Sequence, residues 1–225
     1  LALQENTESE AIYLFTELRT ELVAAAKLAA RSGLVQEQAG NFSLRVPGED
    51  LILVTPTGIH RAALVPEDIV VVDLYGNVVD GFRKPTSETT MHTALLRSRP
   101  DFGGAAHTHS PYATAFACLN MPIPNIVAEQ AAHFGGTIKV APYATPYTQR
   151  LADSVTKALG DDGVAVMMEY HGVMVGGKTV ADAVMKAIYV EDVAKIYHYA
   201  LQIGTPKAMP SQEVKYLFDR ARGVV

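Results

Sequence analysis

Two histidines separated by one residue, His107 and His109, stand at the end of a predicted strand from Phe102 to His109. Residues two apart on a strand point to the same face of a sheet, so both imidazoles can bind one metal ion. A third histidine, His171, follows the predicted strand Val164 to Met168, which could deliver it to the same place. Three histidines with an open fourth position form a known catalytic zinc arrangement. The alternative is that these rings only make structural hydrogen bonds.

A carboxylate and two hydroxyls stand together at the predicted start of a helix, in Thr86, Ser87 and Glu88. The helix macrodipole favours acids at this position, which would explain Glu88 without any function. The free N–H groups of a helix N-terminus also bind anions, and the two hydroxyls could donate to a phosphate. Two glycine-containing turns, at residues 40–43 and 55–58, could contribute in the same way. The residues alone leave both interpretations open.

The segment from Gly172 to Thr179 matches the G-x-x-x-x-G-K-T pattern of nucleotide phosphate loops and precedes a predicted helix. Its residues Val173 to Val175 are typical of a buried strand, whereas a phosphate loop needs flexible backbone. No apolar strand ending in aspartate follows it as a magnesium-binding partner. We therefore predict a strand and a turn at this segment, and no nucleotide site.

The composition is that of an ordinary globular domain, with 225 residues, 48% hydrophobic and 19% charged. The net charge of −5 lacks the basic excess that nucleic acids or anionic lipids require. Lys27 and Arg31 interrupt the most apolar segment before it reaches the ~18 residues of a membrane span. The single cysteine, Cys118, excludes a disulfide framework and fits a reducing compartment. We expect one domain over residues 1–225, in the cytoplasm, without nucleic-acid or membrane partners.

The elements that must position these side chains alternate between strands and helices. Period and capping signals predict one α/β domain with a layered sheet, but they leave open whether the sheet is parallel. The predicted helices are a long one ending at Gly33, then 87–99, a short one from Pro111, 146–159, 179–203 and a last one from Ser211; the predicted strands are 51–55, 69–74, 78–79, 102–109, 137–141 and 164–168.

Five short motifs occur along the chain in a fixed order. Together they resemble the family of class II aldolases and adducin head domains, and the resemblance spans roughly residues 10 to 203. It implies a three-layer α/β/α fold with a central, largely antiparallel sheet. It also implies a homotetramer with active sites between subunits. The motifs are Gly40-Asn41-Phe42-Ser43, Thr55-Pro56-Thr57-Gly58, Lys84-Pro85-Thr86-Ser87-Glu88, His107-Thr108-His109-Ser110 and His171-Gly172.

The resemblance also implies a role for each motif. His107, His109 and His171 would bind Zn²⁺, or another divalent metal such as Mn²⁺ or Co²⁺, and Glu88 would be the general acid or base. The reaction would split a phosphorylated ketose, similar to L-fuculose 1-phosphate, into dihydroxyacetone phosphate and an aldehyde through a metal-stabilised enediolate. The residues that would hold the substrate phosphate are Asn41, Thr57, Gly58, Thr86 and Ser87.

Other activities remain open within the same resemblance. Epimerases of the family carry aspartate where this chain has Glu88, which favours an aldolase, but a sugar-phosphate 4-epimerase, a decarboxylase or a dehydratase would use similar chemistry. A non-catalytic, adducin-like interaction domain is disfavoured by the three histidines together with Glu88. A cupin could also use such histidines, but it would be nearly all strand.

The chain departs from the family's aldolases at their active-site tyrosines. Ala128, beside Glu129, stands where one tyrosine is expected, and Tyr216 in the tail is not clearly in register with the other. The aldehyde specificity and the proton donor for the leaving group are therefore left open. His133 is a candidate fourth ligand or proton donor, or else a surface histidine.

Overall fold

A computed structural model describes residues 5–225 of the chain, with side chains from residue 15 onward. The helices are α1 Glu5–Arg31, α2 Thr89–Ser98, α3 Pro111–Cys118, α4 Ala128–Phe134, α5 Gln149–Leu159, α6 Val180–Ile203 and α7 Ser211–Ala221. The strands are β1 Asn41–Arg45, β2 Leu51–Val54, β3 Val70–Asp73, β4 Val78–Asp80, β5 Gly104–Thr108, β6 Lys139–Ala141, β7 Ala165–Met168 and β8 Gly172–Gly177.

Within residues 5–225, the eight strands form one sheet in the order β4-β3-β2-β1-β5-β8-β7-β6. Every neighbouring pair is antiparallel except β6 and β7, which are parallel. The predicted largely antiparallel sheet is therefore confirmed. Residues of β1 and β8 pair with opposite edges of β5, which places β5 near the middle of the sheet.

Helices cover both faces of the sheet, as the predicted three-layer α/β/α arrangement requires. Strand side chains alternate between the faces. Leu53 belongs to the core layer that contains residues of α1, α3 and α6, while its neighbours Ile52 and Val54 belong to the layer that contains residues of α2 and α5. Leu22 of α1 and Leu95 of α2 are each fully buried on opposite sides of the sheet. The burial of both faces supplies the main stabilisation of the fold.

Several element boundaries differ from their predicted positions. Helix α2 begins at Thr89 rather than at the predicted residue 87, and Glu88 is the residue at its N-terminal cap. Helix α5 begins at Gln149, where the hydroxyl of Thr148 accepts from the amide of Leu151, rather than at residue 146. Thr179 caps α6 as predicted, accepting from the amide of Asp182.

Strand β1 and helix α4 were not predicted from the sequence, and the structure also assigns the segment with the phosphate-loop pattern. The segment 40–43, interpreted as a turn, is the start of β1, and only Gly40 has the left-handed conformation of a turn. The short helix α4 was missed. The segment with the phosphate-loop pattern forms β8, every residue of which is buried, and so the predicted strand is confirmed there. Among the described helices, none is both long enough and apolar enough to cross a membrane.

Candidate functional site

The three predicted histidines meet where the end of β5 lies beside the start of β8. These strands are antiparallel neighbours, and His107 pairs with Met174 of β8. His109 follows the last residue of β5, and His171 precedes the first residue of β8. Tyr170 has a φ of 58°, a left-handed conformation that turns the chain between β7 and β8 immediately before His171. The topology therefore brings together residues that are more than sixty positions apart in sequence.

One potential ligand atom from each of His107, His109 and His171 lies within 4.8 Å of the others. The Nε2 atoms of His107 and His109 are 3.1 Å apart. The Nδ1 atom of His107 lies 2.9 Å from the carbonyl oxygen of Val173, to which it donates, so Nε2 is the ring nitrogen that faces the cluster. A carbonyl partner of this kind fixes the tautomer of a metal-binding histidine, so the donor set fits a divalent metal ion.

Gly172 permits the close approach of β5 and β8 at this point. A Cβ atom at Gly172 would stand 2.3 Å from the carbonyl oxygen of Thr108, and 3.3 Å from ring atoms of both His107 and His109. Any side chain at this position would therefore push the strand away or displace the histidine rings. The His-Gly pair in the sequence is explained by this packing.

The carboxylate of Glu88 faces the histidine cluster. One oxygen lies 3.1 Å from Nε2 of His107, and the other lies 3.3 Å from Nε2 of His171. Two ligands of one tetrahedral zinc ion, each at ~2.0–2.1 Å from it, are about 3.4 Å apart, so Glu88 stands at the edge of such a site. Its side chain makes no capping hydrogen bond to α2. The macrodipole would favour an acid here, but it does not account for a buried carboxylate that contacts two histidines.

Burial and neighbouring charges both shift the pKa values of these groups, and for Glu88 and His107 the two effects oppose each other. Burial would raise the pKa of Glu88, but the charges of His107 and His171 and the hydrogen bonds from His107 and Asn41 hold it well below its usual range. Burial would lower the pKa of His107, yet the charge and hydrogen bond of Glu88 raise it overall. Burial and the charge of His107 lower the pKa of His109 and of His171 to about 4. Glu88 is thus ionised and paired with His107.

The predicted phosphate residues lie on three segments near Glu88. The amide of Thr57 donates to the carbonyl of Lys84, and the amide of Thr86 donates to that of Thr55, so the loop after β2 is hydrogen-bonded to the loop before α2. Thr57, Gly58 and Ser87 are exposed, whereas Thr86 is buried and its hydroxyl accepts from the amide of Glu88 at 3.3 Å. Asn41, at the start of β1, is buried and donates from Nδ2 to Glu88 at 2.8 Å.

Arg61 holds these segments together and was not found from the sequence. Its guanidinium is buried and donates to the carbonyl oxygens of Gln38, Gly40, Pro56 and Ile59 at 2.8–3.0 Å. Burial lowers the pKa of Arg61 to about 10, which leaves it charged at neutral pH. The result is a positive charge against the loop after β2 and the segment that precedes β1.

Two further polar residues, Ser43 and His92, line the same site and were also missed. Both are fully buried. His92 is hydrogen-bonded to Asn41 at 2.6 Å, and Ser43 is hydrogen-bonded to His92 at 2.7 Å. The only signal in the sequence is the spacing of His92, four residues after Glu88 and thus on the same face of the helix.

The remaining candidates lie elsewhere on the molecule. The ring of His133 stacks on Tyr189 of α6 at 4.3 Å, and His133 is not part of the histidine group found among the described residues. Ala128 and Glu129 are exposed at the start of α4. Tyr216 is exposed on α7, where its hydroxyl accepts from Arg220. Cys118 is exposed at the end of α3.

Comparison with known proteins gives a consistent result over almost the whole chain. The sequence profile of the Class II Aldolase and Adducin N-terminal domain matches residues 20–198. A 5-deoxy-D-ribulose 1-phosphate aldolase of Bacillus thuringiensis serovar kurstaki is 35% identical over 210 residues, which cover 93% of this chain and 98% of that protein. A 5-methylthioribulose-1-phosphate/5-deoxyribulose-1-phosphate aldolase of Rhodospirillum rubrum is 36% identical, with 90% of each chain covered.

The fold is similar to that of solved structures as well. An L-fuculose 1-phosphate aldolase superimposes with a TM-score of 0.88 and 33% sequence identity, covering 92% of this chain and 96% of the other. The three-layer fold and the relatives' sequences therefore point to the same group of proteins.

Proposed function

The chain belongs to the class II aldolase and adducin N-terminal domain family, and we propose that it cleaves a ketose 1-phosphate into dihydroxyacetone phosphate and an aldehyde. It is an enzyme, an aldehyde-lyase of the metal-dependent aldolase type. The observation that carries the proposal is the ionised Glu88 carboxylate, 3.1 and 3.3 Å from two histidines of a three-histidine cluster. This arrangement supports proton transfer beside a metal ion.

Glu88 is proposed to move the proton at the carbon that changes its bonding. In the direction of aldol addition, the ionised carboxylate accepts a proton from the hydroxymethyl carbon of dihydroxyacetone phosphate, which leaves an enediolate. In the direction of cleavage, the hydroxyl that becomes the aldehyde carbonyl loses its proton to solvent as the carbon–carbon bond breaks. Glu88, protonated from solvent, then delivers a proton to the carbon of the enediolate, so the proton count is unchanged overall. The low pKa of Glu88 supplies the ionised form that proton acceptance requires.

His107, His109 and His171 are the residues that would hold the metal, and Zn²⁺ is the ion best matched to three imidazole ligands. Bound there, it would supply Lewis-acid stabilisation of the negative charge that develops on the substrate oxygens. The chain offers imidazole and carboxylate donors without a thiolate at this site, so Mn²⁺ or Co²⁺ would also be accepted.

The phosphate of the substrate is proposed to bind between the loop after β2 and the loop before α2. Thr57, Gly58 and Ser87 are exposed there, and the hydroxyl of Thr86 and the second amide proton of Asn41 are further donors. The buried charge of Arg61 makes the potential in these loops favourable for an anion. Fixing the phosphate in this way would align the reacting carbon with Glu88.

The proposed substrate class follows from the names of the three relatives described above, each of which denotes a 1-phosphorylated ketose. The experiment is to incubate metal-loaded protein with 5-deoxyribulose 1-phosphate, 5-methylthioribulose 1-phosphate and L-fuculose 1-phosphate. Release of dihydroxyacetone phosphate is followed by a coupled NADH assay, with and without a chelator. We expect release from at least one sugar, and its loss with the chelator.

Two results would contradict the proposed function. One is an absence of dihydroxyacetone phosphate with every sugar, from protein shown to contain metal. The other is recovery of an epimer of the substrate without free aldehyde, which is the product of a 4-epimerase. A decarboxylase or dehydratase would likewise leave the three sugars uncleaved.

Two further expectations about the molecule are part of the proposal. We propose a homotetramer with active sites between subunits, which a sedimentation measurement would detect as a mass near four times 24.2 kDa. The family resemblance is the basis of this expectation, and exposed apolar side chains such as Leu119 and Ile203, which are 73% and 89% exposed, are candidates for burial against other subunits. The single cysteine supports a reducing compartment such as the cytoplasm.

A further inference from the structure

A chain of three hydrogen bonds runs from the sheet to the carboxylate of Glu88. Ser43 Oγ lies 2.7 Å from Nδ1 of His92, and Nε2 of His92 lies 2.6 Å from Oδ1 of Asn41. Nδ2 of Asn41 in turn lies 2.8 Å from Oε2 of Glu88. His92 and Ser43 are fully buried, and Asn41 and Glu88 are 5% and 4% exposed. We refer to these four residues as the Glu88 network.

The chemistry of the groups fixes the direction of every bond. An ionised carboxylate only accepts, so the NH₂ group of Asn41 must face Glu88, and the amide oxygen of Asn41 must face His92. That oxygen also only accepts, so His92 carries its proton on Nε2. Burial and the charge of His107 lower the pKa of His92 to about 3, so the ring is neutral and its Nδ1 accepts from the hydroxyl of Ser43.

The network depends on a match between helix and strand spacing. Glu88 precedes the first turn of α2 and His92 lies four residues later, a distance of about 6 Å along a helix axis. Asn41 and Ser43 lie two residues apart on β1, a distance of about 6.7 Å along a strand. The two pairs therefore face each other across the helix–sheet interface. Each helix residue meets Asn41, and His92 also meets Ser43.

We propose that His92 is a positioning residue, which holds the Glu88 carboxylate toward the reacting carbon through the side chain of Asn41. Without His92, the amide of Asn41 is free to turn and to present its oxygen to the carboxylate, which repels it. With His92 present, the NH₂ group of Asn41 is held toward Oε2 of Glu88 before the substrate binds. Such preorganisation avoids a rearrangement during proton transfer. The inference rests on the proposed role of Glu88 in that transfer.

The experiment measures how fast each variant exchanges a carbon-bound proton of saturating dihydroxyacetone phosphate with D₂O, by NMR on metal-loaded protein. His92→Leu removes both hydrogen bonds, whereas His92→Gln keeps a donor that can reach Asn41. Ser43→Ala removes only the bond that selects the tautomer. Thr93→Val is the matched control, because Thr93 is equally buried on α2 but its hydroxyl bonds only to the carbonyl of Thr90.

We expect exchange to slow by about 10–100-fold in His92→Leu, which is typical when a side chain that orients an active-site group is lost. His92→Gln should be faster than His92→Leu, and Ser43→Ala should be slowed by about fivefold, the effect of one neutral hydrogen bond. Thr93→Val should exchange like the wild type. A role in packing alone predicts the opposite order for the two His92 variants, because leucine fills an apolar site better than glutamine does.

Three outcomes would overturn the inference. The first is exchange in His92→Leu that is as fast as in His92→Gln. If His92→Leu does not fold, the inference is overturned instead by exchange at the wild-type rate in both His92→Gln and Ser43→Ala. The second is exchange lost in Glu88→Gln but unchanged in every His92 and Ser43 variant, which refutes the positioning role alone. The third is no exchange by the metal-loaded wild type, which refutes the proposed role of Glu88 and the inference with it.

Discussion

Glu88 is held by contacts from three directions, and each restricts a different freedom of its carboxylate. His107 and His171 attract one oxygen each, which sets the direction in which the group points. Asn41 donates to the oxygen that also faces His107, which limits rotation of the carboxylate plane. The hydroxyl of Thr86 accepts from the Glu88 amide, which fixes the main chain from which the side chain extends. A carboxylate held in this way changes its charge with little change in its position.

Glu88→Gln is predicted to separate metal binding from proton transfer. The amide has nearly the same shape as the carboxylate and leaves the three histidines in place, but it cannot accept a proton. We expect a metal content equal to that of the wild type, and exchange of dihydroxyacetone phosphate protons slower by at least about 100-fold. Metal analysis and NMR exchange in D₂O are the measurements. Unchanged exchange would remove Glu88 from the mechanism.

The pairing of β5 with β8 is the element on which the histidine cluster depends. His107 and His109 come from one strand and His171 from the entry to the other, so the strand separation sets the distance between the rings. Antiparallel strands lie ~4.7–4.9 Å apart only when nothing projects between the backbones. Gly172 meets this condition next to the carbonyl of Thr108.

Gly172→Ala is therefore predicted to impair both the site and the fold. The added Cβ would stand 2.3 Å from a backbone oxygen that cannot move without breaking the ladder. We expect a loss of about 1–3 kcal/mol in the free energy of unfolding, and metal affinity lower by at least about tenfold. Urea unfolding and metal titration test this. Gly136→Ala, where a Cβ meets nothing within 4 Å, is the control, and equal effects in both variants would contradict the argument.

The sequence predicted the elements whose polar and apolar residues lie on different faces. His107 and His109 were recognised because a strand places residues two apart on one face, and the antiparallel sheet then brought His171 to them. Strand β1 was missed because Gly40 and Asn41 are typical of a turn, although residues 41–45 alternate between polar and apolar. Asn41 and Ser43 are both buried. Their burial is compensated by His92 from a helix about fifty residues away, a pairing that no local pattern encodes.

At the scale of the whole molecule, the buried histidines of the site also affect the free energy of unfolding of the chain. His92, His109 and His171 all have pKa values lowered by burial, so folding keeps them neutral where an unfolded chain would bind protons. Acid therefore favours unfolding. A bound metal would add to the stability of the folded state, because its ligands are brought together only there.

The pH dependence of stability in the metal-free protein tests this directly. The pKa of His92 is about 3 in the folded chain and near 6.5 when exposed, so its stabilisation is complete above pH 6.5 and is lost progressively as the pH falls toward 3. Around pH 5 the unfolded state holds one more proton at this residue, which gives a slope of about 1.4 kcal/mol per pH unit. His92→Gln should flatten the measured slope by up to this amount, whereas Thr93→Val should leave it unchanged. Urea unfolding between pH 4 and 8 supplies the slopes, and parallel curves for the wild type and His92→Gln would show that His92 is not kept neutral by folding.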